Sequence, residues 1–148
     1  MQKIGIKIKK LTKNATIPTY GTANAAGADL YACIEGVLKI EAGETKFVST
    51  GIALEIPEGL VGLVYARSGL GSKQGLAPAN KVGVIDSDYR GEIIVALHNH
   101  SKEAKTIENG QRIAQIVFAP YIMGDFEEVE SLEESVRGEG RFGSTGKK

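Results

Sequence analysis

Arg137, Arg141, Phe142, Ser144 and Thr145 stand among four glycines in the last twelve residues of the chain, where no core can form. Arginine presents a planar fork of donors that fits phosphate. Glycine lets backbone N–H groups come close to a ligand, and an aromatic ring gives a base a face to stack on. That combination suits a nucleotide clamp; a disordered, solubilising end is the plain alternative.

Four clusters upstream bear on the choice. In Ala66-Arg-Ser-Gly-Leu-Gly-Ser-Lys-Gln-Gly75, an apolar run ends in Arg67, Ser68 and Gly69, just before a stretch able to make a helical turn. Unpaired N–H groups beside a guanidinium and a hydroxyl attract anions. An exposed turn with incidental charge has the same composition. Asn80-Lys-Val-Gly-Val-Ile-Asp-Ser-Asp-Tyr-Arg-Gly-Glu92 gathers an apolar strand, two carboxylates, a tyrosine and a tight turn. The Asn80 carboxamide and the backbone of Gly83, Val84 and Ile85 can alternate donors and acceptors toward a pyrimidine edge. Three residues beyond Asp86, the ring of Tyr89 can pack on a sugar and collide with a 2′-hydroxyl. Asp86 and Asp88 also read as a solvated hairpin turn. Gln115 sits among apolar residues in Gly110–Phe118 and must find a partner, structural or ligand. Asp29 is a carboxylate set into the small-residue turn Ala26–Ala32, by itself a turn signal.

The elements that must position these groups read as strands. Ile4, Ile6 and Ile8 fall two apart, as do Ile52, Leu54 and Ile56, and Leu63 with Tyr65, each set suiting a strand with one face buried. Turn signals at Gly21, Gly27, Gly43, Gly59, Gly91 and Gly110 break the chain often, and helical spacing is confined to Ser68–Gln74. An all-β antiparallel sandwich or barrel is the expected architecture. At 148 residues the chain fits one core, over residues 1–123. Glu127, Glu128, Glu130, Glu133 and Glu134 mark 124–136 as an acidic connector to the tail, 137–148. Fully extended, the connector reaches about 40 Å, far enough to cross onto a neighbouring subunit.

Eighteen basic residues balance eighteen acidic ones, so the basic footprint that binds a nucleic-acid backbone is missing. No segment has the length of a membrane span, and the N-terminus lacks the apolar run of a signal peptide, which points to a cytoplasmic protein. Cys33 is the only cysteine and reads as a small core residue. His98 and His100 alternate along a strand without a third ligand nearby, as edge or exposed histidines do. Gly143-Ser-Thr-Gly-Lys-Lys148 looks like part of a P-loop, but Arg141 stands where its first glycine is needed.

In order, AGADLYA, ARSGLGSKQGL, NKVGVIDSDYRGE, GQRIAQ and RGEGRFGSTG closely resemble the five motifs of the trimeric dUTPases, across residues 26 to 146. The resemblance implies an eight-stranded jelly-roll-like β-barrel with one short helix, assembled as a homotrimer whose three active sites are each lined by all three chains. It implies hydrolysis of dUTP to dUMP and pyrophosphate, with Asp86 as the base that directs water at the α-phosphorus. Arg67, Ser68, Gly69 and Gln115 match phosphate-facing positions. Asn80, Gly83, Val84 and Ile85 match those that read uracil, and Tyr89 matches the one that screens the sugar. From the tail, Arg137 would reach the γ-phosphate, Phe142 would stack on the base, and Gly143, Ser144 and Thr145 would add donors. Mg²⁺ is implied as cofactor, held mainly by the triphosphate and by no protein ligand directly. Asp29 matches a supporting carboxylate for water, metal or a neighbouring motif.

Two departures stand out: Arg141 occupies a position where glycine is common in that family, and Gly71 one often filled by alanine. The related dCTP deaminases share the implied fold but lack such a tail. A binding module that had lost turnover would not need Asp86, Gln115, Arg137 and Phe142 together.

Overall fold

The computed structural model describes residues 3–141; Phe142, Gly143, Ser144 and Thr145 lie outside them. One sheet runs β1 (Lys7–Lys10), β5 (Thr45–Glu55), β9 (Glu92–Asn99), β7 (Leu76–Pro78). A second runs β2 (Thr19–Tyr20), β3 (Ala28–Tyr31), β11 (Arg112–Pro120), β6 (Leu60–Tyr65), β8 (Gly83–Ile85), while β4 (Val37–Ile40) and β10 (Lys105–Glu108) pair on their own. Every pairing is antiparallel. The helical turn expected after Leu60–Ala66 is a five-residue π-helical turn, Gly69–Lys73.

Alternation along the long strands builds the core between the two large sheets. Val48, Ile52 and Leu54 of β5 and Ile93, Val95 and Leu97 of β9 meet Leu30 of β3, Val64 of β6, and Ile113 and Ile116 of β11 in a single cluster. Burying each such side chain is worth about 1.5–3 kcal/mol. Among the few buried polar side chains, Asn99 is fully enclosed at 0% exposure. Its amide donates to the carbonyls of Ile40 and Glu103 (3.0 and 2.7 Å), and its Oδ1 accepts from the Ser101 backbone and hydroxyl, tying β9 to β4 and the following loop.

β5 is broken by a bulge, its register with β9 shifting between Ser49 and Ala53. Gly51 at the break has φ 68°, which favours glycine, and its N–H donates to Glu92 Oε1 at 2.8 Å. The base of the Asp86 hairpin is thereby tied to the sheet.

Several expectations need correction. Eleven strands, not eight, form among the described residues, and hydrogen bonding does not run round a closed barrel: β1 and β7 are edges of one sheet, β2 and β8 of the other. Leu63 and Tyr65 are not the buried face of β6. Gly62 and Val64 face the core, Val64 opposite Ile116, while Tyr65 is 42% exposed. Both faces of β6 are apolar, so period alone could not choose between them. Ile4 lies half exposed ahead of β1, though Ile6 and Ile8 pack on the core. His98 sits on an interior strand, its Nδ1 2.9 Å from the Thr45 hydroxyl.

Candidate active site

Asp86 directly follows β8, the edge of the five-stranded sheet, which is paired to β6 alone. Its Gly83–Ile85 backbone therefore keeps one hydrogen-bonding edge unused by any strand among the described residues, as a base-reading strand must. The Asn80 carboxamide packs on the face of the strand at Gly83, its nitrogen 3.2 Å from where a Cβ of Gly83 would sit. A turn then carries Asp86, Ser87, Asp88 and Tyr89 back toward β9. The Tyr89 N–H donates to the Asp86 carbonyl at 3.2 Å, and Arg90 donates to the carbonyls of Ser87 and Tyr89 (2.6 and 3.0 Å). Val84, Ile85, Asp86, Tyr89, Glu92 and Ile94 line a cleft of about 180 Å³. A wider cavity of about 740 Å³ shares Val84 and Asp86 with it and is lined also by Val61, Arg90, Tyr121 and Met123. The smaller cleft is the one that combines the unused strand edge with Asp86 and Tyr89.

A second group forms at the far end of the same sheet. Thr19, Asp29, Gln115 and Tyr65 stand side by side across β2, β3, β11 and β6. Asp29, 8% exposed, accepts from Arg67 Nε at 2.7 Å and from Arg112 Nη1 at 3.3 Å, one bond to each carboxylate oxygen. The partner Gln115 required is the Ala66 carbonyl, 2.9 Å from Nε2. That bond sets the carboxamide beside Arg67 and Ser68, whose hydroxyl makes no capping bond to the helical turn. A Cβ on Gly27 would run into Gln115 Oε1 and come within 3.0 Å of its Cδ. The backbone of Gly27 has no positive φ, so the missing side chain is room for the glutamine.

The two groups are not adjacent. Ile85 pairs with Gly62, which puts Asp86 level with Val61, whereas Arg67 follows the other end of β6. The six residue steps from Val61 to Arg67 cover about 20 Å of extended chain. Arg137 lies on an exposed arm after β11, its Nε donating to the Gly140 carbonyl at 3.1 Å. Sequence reading missed Arg112, although it stood inside a quoted motif, and also Gly27 and Gly91, whose value is space. Only a close approach in three dimensions reveals those.

The chain matches the family model for dUTPase over residues 13–146. It is similar to the deoxyuridine 5'-triphosphate nucleotidohydrolase of Desulfitobacterium hafniense, at 50% identity with 99% of each chain covered. Its fold is similar to that of the Staphylococcus bacteriophage 80alpha dUTPase with dUPNHPP, with a TM-score of 0.86 at 31% identity, covering 97% of this chain and 99% of that one. It is also similar to a dUTPase from phage phi11 of S. aureus described with a structural Mg(II) ion, with a TM-score of 0.79 at 25% identity over 88% of this chain and 100% of that one. With a family match across most of its length and a relative identical at half its positions, the chain belongs to the dUTPase family and hydrolyses dUTP to dUMP and pyrophosphate.

Proposed function

We propose that this hydrolysis takes place in sites shared between subunits of a homotrimer, each subunit contributing a different part. The observation that carries the reading is the β6–β8 register: Asp86 lies level with Val61 while Arg67 follows the opposite end of β6, about 20 Å of extended strand away, so a site that unites them is built more readily from two chains than from one. A second copy can bring its Arg67 to the first copy's Asp86. The acidic connector, 124–136, gives the clamp, 137–148, the reach to close from another copy.

Within a site, uracil lies along the unused edge of β8, read by the backbone of Gly83, Val84 and Ile85 and by Asn80. Cytosine is refused because exchanging donor and acceptor leaves buried polar groups unpaired. Tyr89 takes the sugar and leaves no space for a 2′-hydroxyl. Asp86 holds the attacking water by hydrogen bonding and accepts its proton as oxygen reaches the α-phosphorus, with pyrophosphate leaving on the opposite side. Arg67, Ser68, Gly69 and Gln115 meet the charge on the phosphate oxygens, with Asp29 keeping Arg67 aimed. Arg137 binds the γ-phosphate, Phe142 covers the base, and Gly143, Ser144 and Thr145 donate from the clamp.

The residues fit a Mg²⁺ brought in by the triphosphate. Asp86 and Asp88 offer hard oxygen atoms, while Asp29 is taken up by two arginines, and no three His, Cys, Asp or Glu side chains among the described residues gather into a cage. When bound, the ion neutralises charge across the triphosphate oxygens. No helix among the described residues is long and apolar enough to cross a membrane.

The test is hydrolysis in ¹⁸O-water with Mg²⁺ and each of dUTP, dTTP, dCTP and UTP. Label in dUMP, with pyrophosphate released from dUTP far faster than from the others, is the expected result. Label in pyrophosphate, or ammonia from dCTP, would overturn it.

A further inference from the structure

Tyr89 needs a fixed ring to screen a sugar, yet it sits on an exposed turn and is itself 43% exposed. Two features hold it. Its hydroxyl donates to the Glu92 carbonyl at 2.9 Å, and the ring lies back across Gly91. A Cβ on Gly91 would collide with the Tyr89 hydroxyl and would stand 2.6 Å from Cζ and 3.0 Å from Cε2. The backbone does not ask for glycine here, because Gly91 is not among the residues with positive φ. Its bare face is a seat for the ring. The seat is anchored in turn, since Glu92 Oε1 accepts the Gly51 N–H at the β5 bulge, which fixes the strand whose carbonyl receives the tyrosine hydroxyl.

We infer that Gly91 is a specificity-determining position: the side chain it lacks, together with the Glu92 carbonyl, sets where the Tyr89 ring stands and hence how strictly the site separates deoxyribose from ribose. This rests on the reading of Tyr89 as the sugar screen. An alanine at 91 pushes the ring off its seat by rotation about its side-chain bonds, since the ring cannot bend and the backbone has no left-handed strain to relieve. The base edge at Gly83–Ile85 and the carboxylate of Asp86 are untouched, so hydrolysis itself survives while discrimination falls.

The experiment compares kcat/KM for dUTP and UTP in full-length wild type, Gly91→Ala, Tyr89→Ala, Tyr89→Phe and the double variant Gly91→Ala/Tyr89→Ala, each with its thermal melt. Gly91→Ala is expected to lower the dUTP-to-UTP ratio tenfold or more, chiefly through KM, and to have no further effect on the ratio once Tyr89 is alanine. Tyr89→Phe keeps the ring but loses the bond to Glu92, and is expected to lower the ratio by a smaller factor. An unchanged ratio in Gly91→Ala, or an equal effect with and without the Tyr89 side chain, overturns the inference. If Gly91→Ala does not fold, an unchanged ratio in Tyr89→Phe overturns it instead. An unchanged ratio in Tyr89→Ala shows that the sugar-screen reading has failed, and the inference with it; a lowered ratio there with none in Gly91→Ala sinks the inference alone.

Discussion

At the scale of single residues, the chemistry rests on a few polar atoms whose neighbours leave them little freedom. In the proposed mechanism Asp86→Asn keeps the shape of the turn and removes the acceptor for the water's proton, so kcat should fall by about 10²–10⁴ with dUTP binding retained, measured by pyrophosphate release and by titration. Asp29→Asn should cost about 1.5–3 kcal/mol in transition-state stabilisation, the worth of a hydrogen bond to a charged group, because Arg67 loses its carboxylate anchor. Steady-state kinetics checks it: kcat/KM falls roughly 10–100-fold. Gly27→Ala should imitate Gln115→Ala, each raising KM several-fold, since the new methyl occupies the space of the glutamine carboxamide. If the two losses simply add in the double variant, Gly27 does not act through Gln115. The sequence singles out Asp86, Gln115 and Tyr89 by residue type alone, and the structure places Asp86 and Tyr89 on one cleft and Gln115 against the Ala66 carbonyl. The double grip of Arg67 and Arg112 on Asp29 was not legible in the sequence, since eighty-three positions separate Asp29 from Arg112.

At the scale of elements, the strands were legible and their faces only partly so. Ile52, Leu54 and Ile56 are all buried, as their spacing predicts, because β5 lies inside its sheet with a core below it. β6 carries apolar residues on both faces, and only its pairing with β11 decides that Val64 points inward. β1 is an edge, protected by the exposed Lys7, Lys9 and Lys10. Lys7 Nζ donates to Glu55 Oε1 at 2.7 Å, and this bond, followed by the lysine charge, holds the Glu55 carboxyl below the usual glutamate range. A carboxyl with a depressed folded-state pKa stabilises the fold above its unfolded pKa and loses that contribution as pH falls through the folded value. Acidification below the ordinary glutamate range should therefore lower the protection factors of the amides at Lys7–Lys10, that is, their exchange measured against the intrinsic rate at each pH. Glu55→Gln should show the lower protection already at neutral pH, with little change in Tm because the pair is exposed. Exchange at β1 that is indifferent to both would remove the pair's role.

At the scale of the whole molecule, the decisive feature is a distance. The hairpin that carries Asp86 and the group built on Arg67 and Gln115 occupy opposite ends of β6, and Ile122, Met123, Phe126, Leu132 and Val136 stand largely exposed along the arm that follows β11. Apolar side chains so placed gain most from a second chain. The order of motifs in the sequence hid this separation, which only the β6–β8 register makes visible. The direct measurement is complementation: Asp86→Asn chains and Arg67→Ala chains, each inactive alone, are unfolded together, refolded and assayed with dUTP. Sites shared between subunits predict that the mixture regains a substantial fraction of wild-type activity, because some sites combine an intact Asp86 from one chain with an intact Arg67 from another. A mixture as inactive as its components would contradict the account.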